Sequence, residues 1–193
     1  EVLQWLRANG CPWDKDTCTY AAGGGQLKVL QWARANGCPC NEKTCFSAAR
    51  EGHLEVLRWV CANGCPRDKN ELHHAAQMGH EAVVRALIEL GADANKAEDR
   101  SVTAVYIAAQ NGHETVLRAL IKLGADVNKA RDNGTTPLFV AALNGHEAVA
   151  RALLEAGADM NKMDDDYGAT LLSIAAQQGH KAVVKILGDA GAV

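Results

Sequence analysis

Cysteine and histidine are the residues of this chain with the most capacity for chemistry, and their spacing limits what that chemistry can be. All seven cysteines lie at or before Cys65. Cys11, Cys38 and Cys65 share one register at a constant interval, and Cys18 and Cys45 share a second. Equivalent atoms of packed helices lie roughly 8–10 Å apart, whereas a disulfide needs Cα atoms within about 7 Å. Cysteines on one ladder therefore cannot pair easily. The expectation is small buried apolar thiols in an intracellular, reducing compartment. Cys61 stands off the ladders, and Cys61, Cys65, His73 and His74 offer the four ligands that tetrahedral zinc takes. Neighbouring helical positions point about 100° apart, so His73 and His74 cannot both face one ion, and no metal is expected.

The other histidines give no catalytic signal. His53, His80, His113, His146 and His180 each follow a glycine at the same place in a repeat. A catalytic histidine needs one distinct environment with a nucleophile or acid beside it, and five periodic copies mark a structural turn instead. Gly23, Gly24 and Gly25 form that same turn and lack the Lys and Ser or Thr of a phosphate loop. No catalytic residue and no cofactor is expected.

The elements that hold these residues repeat. Val2-Leu3-Gln4-Trp5, Val29-Leu30-Gln31-Trp32 and Val56-Leu57-Arg58-Trp59 recur at one short, fixed period, each leading to Asn-Gly-Cys-Pro. A second series, at Val83, Val116, Val149 and Val183, has a longer period, with glycines in register at Gly91, Gly124, Gly157 and Gly191. Within one unit, Thr136 caps a short helix with Pro137 at its first position. Glu147 opens a second helix whose Val149, Leu153 and Leu154 recur at helical spacing until Gly157. Alanine pairs such as Ala108-Ala109 and Ala141-Ala142 leave room only for methyl groups between adjacent first helices. A fixed period of this kind implies stacked supersecondary units that each contact only their neighbours. The expected fold is an all-α solenoid of antiparallel helix pairs, with the longest loops after Gly91, Gly124 and Gly157.

Thr136-Pro137-Leu138, the alanine pairs, Gly145-His146, the valine-leucine stripe and Gly124-Ala125-Asp126-Val127-Asn128 together resemble the ankyrin repeat in its long form. Residues 1–66 resemble a shorter variant in which Cys-Pro replaces Ala-Asp. The family's histidine after Thr-Pro-Leu is retained only as His73, with Thr19, Phe46, Tyr106, Phe139 and Ser173 at the equivalent places. The expected organisation is one solenoid over 1–193, with short repeats in 1–66, a junction at 67–81 and long repeats in 82–193. It opens inside a repeat, as a piece of a longer protein would.

Composition narrows the function. Lys plus Arg is 20 against Asp plus Glu 23, and residues 82–193 carry the acidic excess, so no basic patch for phosphate neutralisation exists. No apolar run approaches the ~18 residues of a membrane span. Nucleic acid and membrane insertion are therefore not expected as partners. The resemblance implies a non-catalytic scaffold that binds a protein through its concave loop and first-helix face, alone or as a subunit of a larger complex. The alternative is a targeting or substrate-recruiting arm of a larger enzyme or assembly.

Carrying the family's variable contact positions over by register gives Asp99, Arg100, Val102, Gln110 and Asn111 in one repeat. The next supplies Asp132, Asn133, Thr135, Leu143 and Asn144, and the last Asp165, Asp166, Tyr167, Gln177 and Gln178. Leu120 to Asn128 also resembles the sequence that asparaginyl hydroxylases prefer in ankyrin loops, which makes Asn128 a candidate modification site. Trp5, Trp32 and Trp59 form a third ladder, read either as packing beside the second helices or as an exposed contact stripe.

Overall fold

The structure is a computed structural model that describes residues 8–10, 14–161 and 170–192. Among the described residues it is built of helices, with a single antiparallel bridge between Ala97 and Thr103 and no strand. Two compact units divide the chain, residues 1–71 and 72–193.

The first unit holds helices α1 (Lys15–Gly23), α2 (Leu27–Ala35), α3 (Glu42–Arg50) and α4 (Leu54–Ala62). α1 packs on α2, α3 packs on α4, and the first helices α1 and α3 lie side by side. Ala21, Ala22, Ala48 and Ala49 are buried along that seam, where a larger side chain would force the helices apart. Asp14 starts α1 by accepting the amide protons of Asp16 and Thr17. The hydrogen bonds of Thr17, chiefly from its hydroxyl, hold the Asp14 carboxyl below its ordinary range. Short loops at 36–41 and 63–70 connect one helix pair to the next.

Cysteine chemistry in this unit departs in one respect from the expectation of unpaired thiols. Cys18, Cys38 and Cys45 are indeed buried and free, but Cys40 and Cys65 form a disulfide with Cα atoms 5.7 Å apart. The ladder argument holds for Cys38 and Cys65. It does not reach Cys40, which sits just past the ladder in one loop and so lies beside the ladder cysteine of the following loop. A second cross-ladder contact brings Cys18 Sγ within 3.1 Å of Cys38 Sγ. Burial, with that neighbour, pushes the Cys18 thiol up to about 12. Cys45 hydrogen-bonds Cys61, which raises the Cys45 thiol and lowers that of Cys61. Cys11 lies outside the described residues.

The second unit continues from α5 (Glu71–Gln77), which straddles the division, into α6 (Glu81–Glu89), α7 (Ala104–Gln110), α8 (Glu114–Lys122), α9 (Pro137–Leu143), α10 (Glu147–Glu155), α11 (Leu171–Gln177) and α12 (Lys181–Asp189). First helices α7, α9 and α11 pack in one row, and second helices α6, α8, α10 and α12 in another. Between the rows Leu87, Leu117, Leu120, Leu138, Leu153 and Leu187 are wholly buried, each contributing about 1.5–3 kcal/mol of hydrophobic stabilisation. Thr103, Thr136 and Thr170 cap the first helices by accepting the amide protons of Tyr106, Phe139 and Ser173. Pro137 occupies the first turn of α9, where its missing N–H leaves no partner wanting.

The periodic histidines join repeats. His53 Nε2 lies 3.0 Å from the Gly23 carbonyl in the first unit. In the second, the same nitrogen of His113, His146 and His180 lies 2.8–3.0 Å from the carbonyls of Gln77, Gln110 and Leu143, at the end of the preceding first helix. Each ring passes close over the turn glycine of the preceding repeat. A Cβ on Gly112 would sit 2.7 Å from His146, and Gly112 also has φ +74°. Both reasons make any other residue there strained.

Candidate partner-binding face

Long loops distinguish the second unit. Residues 90–103 and 123–136 each leave a second helix through an Asp-x-Asn turn and project before the next first helix. In the turns, Asp93 and Asp126 accept the amide protons of Asn95 and Asn128. The asparagine side chains then bridge to the following loop. Asn95 donates to the Gly124 carbonyl at 3.1 Å and accepts from the Asp126 amide at 2.7 Å. Asn128 does the same with Gly157 and Asp159, at 3.2 and 2.8 Å. Asn128, the candidate for hydroxylation, is half-buried with its amide engaged on both sides.

Past this ladder the loops differ from one another. Asp99–Ser101 make a single 3-10 turn in which Arg100 and Ser101 both have φ of 59°. That left-handed conformation costs a residue with a side chain about 1–3 kcal/mol. Neighbouring contacts hold it: Asp132 donates its amide proton to the Arg100 carbonyl at 3.2 Å, and the Ser101 hydroxyl donates to the Asp132 carboxylate. Arg131 lays its guanidinium over the Tyr106 ring, 5.2 Å from the centroid. Arg100, Arg131, Asp132 and Asn133 line a half-open cavity of about 170 Å³ between the two loops.

One repeat earlier, His73 and Glu98 occupy the places of Tyr106 and Arg131. His73 is 1% exposed, its Nε2 lies 3.1 Å from the Lys96 carbonyl and its Nδ1 3.3 Å from Glu98 Oε1. Burial holds its pKa below the ordinary histidine value, with Glu98 opposing in part.

Of the contact positions taken from the sequence, Asp99, Arg100, Asp132, Gln110, Asn111, Asn144, Gln177 and Gln178 are exposed, and Val102, Asn133 and Leu143 are half-buried. Thr135 is 6% exposed and donates its hydroxyl proton to Asn133 Oδ1 at 2.8 Å, so it orients its neighbour rather than presenting itself. Gln110 and Asn144 stand on adjacent first helices, linked by a bond from Asn144 Nδ2 to the Gln110 carbonyl. Asp165, Asp166 and Tyr167 lie outside the described residues. Arg131, Ser101 and Tyr106 line or support the cavity and were not among the positions carried over from the resemblance. Their signal was pairwise: a residue at the first-helix start touches one fixed position of the following loop, as His73 with Glu98 and again as Tyr106 with Arg131.

Two of the residues that could have ligated zinc are engaged in structural contacts. Cys65 is bonded to Cys40 in the first unit, and His73 is engaged with its own loop in the second. Among the described residues no three histidine, cysteine or acidic side chains converge as metal ligands, and no helix is long and apolar enough to cross a membrane. Trp32 and Trp59 are half-buried, while Trp5 lies outside the described residues.

No curated protein matches the chain. A family model described as ankyrin repeats (3 copies) matches residues 18–98, 72–164 and 105–193, overlapping spans that together reach from α1 to the end of the chain. With its helix pairs, alanine seams, glycine-histidine turns and Asp-x-Asn ladder, the chain belongs to the ankyrin-repeat family, a protein–protein interaction module.

Proposed function

We propose that this chain is a non-catalytic scaffold that binds a protein partner through the loops and first helices of its second unit. The observation that carries the reading is the row of exposed amide side chains on successive first helices, Gln110 and Asn111, Asn144, then Gln177 and Gln178, beside loop residues Asp99, Arg100 and Asp132. Behind that row the helices are closely packed, so the surface is preformed and little ordering entropy opposes binding. The second helices offer a different surface, laced by i,i+4 ion pairs such as Arg85 with Glu81 and Arg151 with Glu147. Such pairs leave few groups wanting a partner.

Affinity capture from the native source followed by mass spectrometry identifies the partner, and surface variants then locate it. Gln110→Arg and Asn144→Arg place bulk and charge on the first helices, and capture should fall at least tenfold. Thr115→Arg and Ala148→Arg do the same on exposed second-helix positions and should leave capture unchanged. The opposite pattern would move the interface to the second helices. The second reading, a recruiting arm of a larger enzyme or assembly, uses the same face and is separated from the first by whether the captured partner is acted on by the parent protein.

A further inference from the structure

We infer that the cavity between the loops at Arg100 and Arg131 is a carboxylate-recognition site, and that it accepts an aspartate or glutamate side chain of the partner. This rests on the binding face proposed above and names the chemistry of one contact within it.

The first argument is which arginines have partners. The second unit contains five. Arg85 pairs with Glu81, Arg118 with Glu114 and Glu155, and Arg151 with Glu147. Arg100 and Arg131 alone form no ion pair among the described residues, and they line the same cavity. Arg131 Nε is buried from solvent with no acceptor, although the guanidinium is held in place by the Tyr106 ring and by a 3.4 Å contact to its hydroxyl. A planar fork fixed by stacking, with one N–H unanswered, is prepared for an oxyanion.

Backbone conformation supplies the second argument. Arg100 is carried to the cavity by two successive left-handed residues, neither of them glycine or asparagine. Glycine would relieve that strain but would remove the cation. Strain retained beside an unpaired charge points to a role for the side chain.

Charge balance narrows the ligand. Two guanidinium groups face one carboxylate, Asp132, whose oxygen accepts the Ser101 hydroxyl proton and makes no ion pair with either arginine among the described residues. One further negative charge neutralises the group, whereas a phosphate dianion would overshoot and face Asp132 directly. The cavity of about 170 Å³ is several times the ~30 Å³ that one water occupies in the liquid, room for a carboxylate with its adjoining methylene groups.

The probe is a blocked pentapeptide with one central glutamate, compared with the same peptide carrying glutamine. Arginine Nε–Hε resonances of ¹⁵N-labelled protein report the contact. The glutamate peptide should move the Arg100 and Arg131 signals saturably, leave Arg85, Arg118 and Arg151 in place, and weaken with added salt. Arg100→Gln and Arg131→Gln should each reduce apparent affinity about tenfold or more, and Arg131→Lys should not restore it, because the fork is lost. Arg100 supports no packing, so its variant keeps the test valid if Arg131→Gln melts early. Equal response to the glutamine peptide, equal movement of all five arginines, or an unchanged titration in Arg100→Gln would overturn the inference. Failure of the peptide while Gln110→Arg still abolishes capture removes only the carboxylate site. Specific peptide binding with capture indifferent to Gln110→Arg removes the face reading and leaves the cavity standing.

Discussion

The two units stitch neighbouring loops together with different chemistry. In the first the loops, at 36–41 and 63–70, are short, and a disulfide between Cys40 and Cys65 joins one to the next. In the second, loops more than half as long again carry asparagine bridges from Asn95 and Asn128 to the following backbone. A covalent link closes a short loop in one redox state only. Hydrogen bonds to backbone groups hold in any redox state and leave the residues beyond them free to vary, which is where Arg100, Arg131 and the cavity lie.

Core substitutions set the largest expected effects and test whether the units are separately cohesive. Leu57→Ala in the first and Leu120→Ala in the second each remove a wholly buried side chain and should cost about 2–5 kcal/mol. All four tryptophans lie in the first unit, so their fluorescence follows that unit alone while circular dichroism follows both. Leu57→Ala should shift the fluorescence transition in urea, and Leu120→Ala should shift the dichroism with fluorescence less affected. Coincident shifts for both variants would mean that the chain unfolds as one cooperative block.

Removing the cross-link comes next. Cys40→Ser should destabilise the first unit by about 3 kcal/mol, the loop-closure value for a link spanning a few tens of residues. Fluorescence melting of the oxidised protein should drop accordingly, and a reductant should bring the unsubstituted protein to the same point. Unchanged melting on reduction would remove the contrast between the units. Asn128→Ala, which deletes the bridge to Gly157 and Asp159, should cost the second unit about 1–2 kcal/mol in a dichroism-monitored urea titration. A loss near zero would show that water replaces the bridge.

The smallest effect concerns acid. His73 has its pKa depressed by burial, so below the unfolded value of ~6.5 the unfolded chain binds a proton that the folded chain resists. This contribution is fully present above that value and is lost as pH falls through it towards the folded pKa. Stability of the second unit should decline more steeply below pH ~6.5 than in His73→Gln, as read from urea midpoints across pH. A rise in stability there would mean that Glu98 outweighs burial and that the folded state gains the proton.

Periodicity made the scaffold legible. The two repeat spacings, the alanine pairs and the Thr136-Pro137 start located each helix because the same local physics recurs in every copy. Non-periodic contacts were not legible in that way. Cys40 has Trp13 and Arg67 at its equivalent positions, so no ladder argument could predict its bond to Cys65. The pairing of Tyr106 with Arg131 repeats that of His73 with Glu98 one period earlier, but it depends on which loop residue folds back over which helix start, a relation between distant positions that no helix or turn rule expresses. Thr135 failed as a presenting residue for a related reason, since register gives a position but not the direction of its hydroxyl.

In the second unit His113, His146 and His180 reach back to a carbonyl of the repeat before them, and Asn95 and Asn128 reach forward to the loop of the repeat after them. A long repeat of the second unit thus offers a donor to its predecessor and another to its successor, and both acceptors are main-chain groups common to any residue. A duplicated copy inserted in register would find both partners already in place whatever its other side chains were. Lengthening the array by gene duplication therefore needs no compensating change in the neighbours, and the loops can diverge afterwards without disturbing the joints.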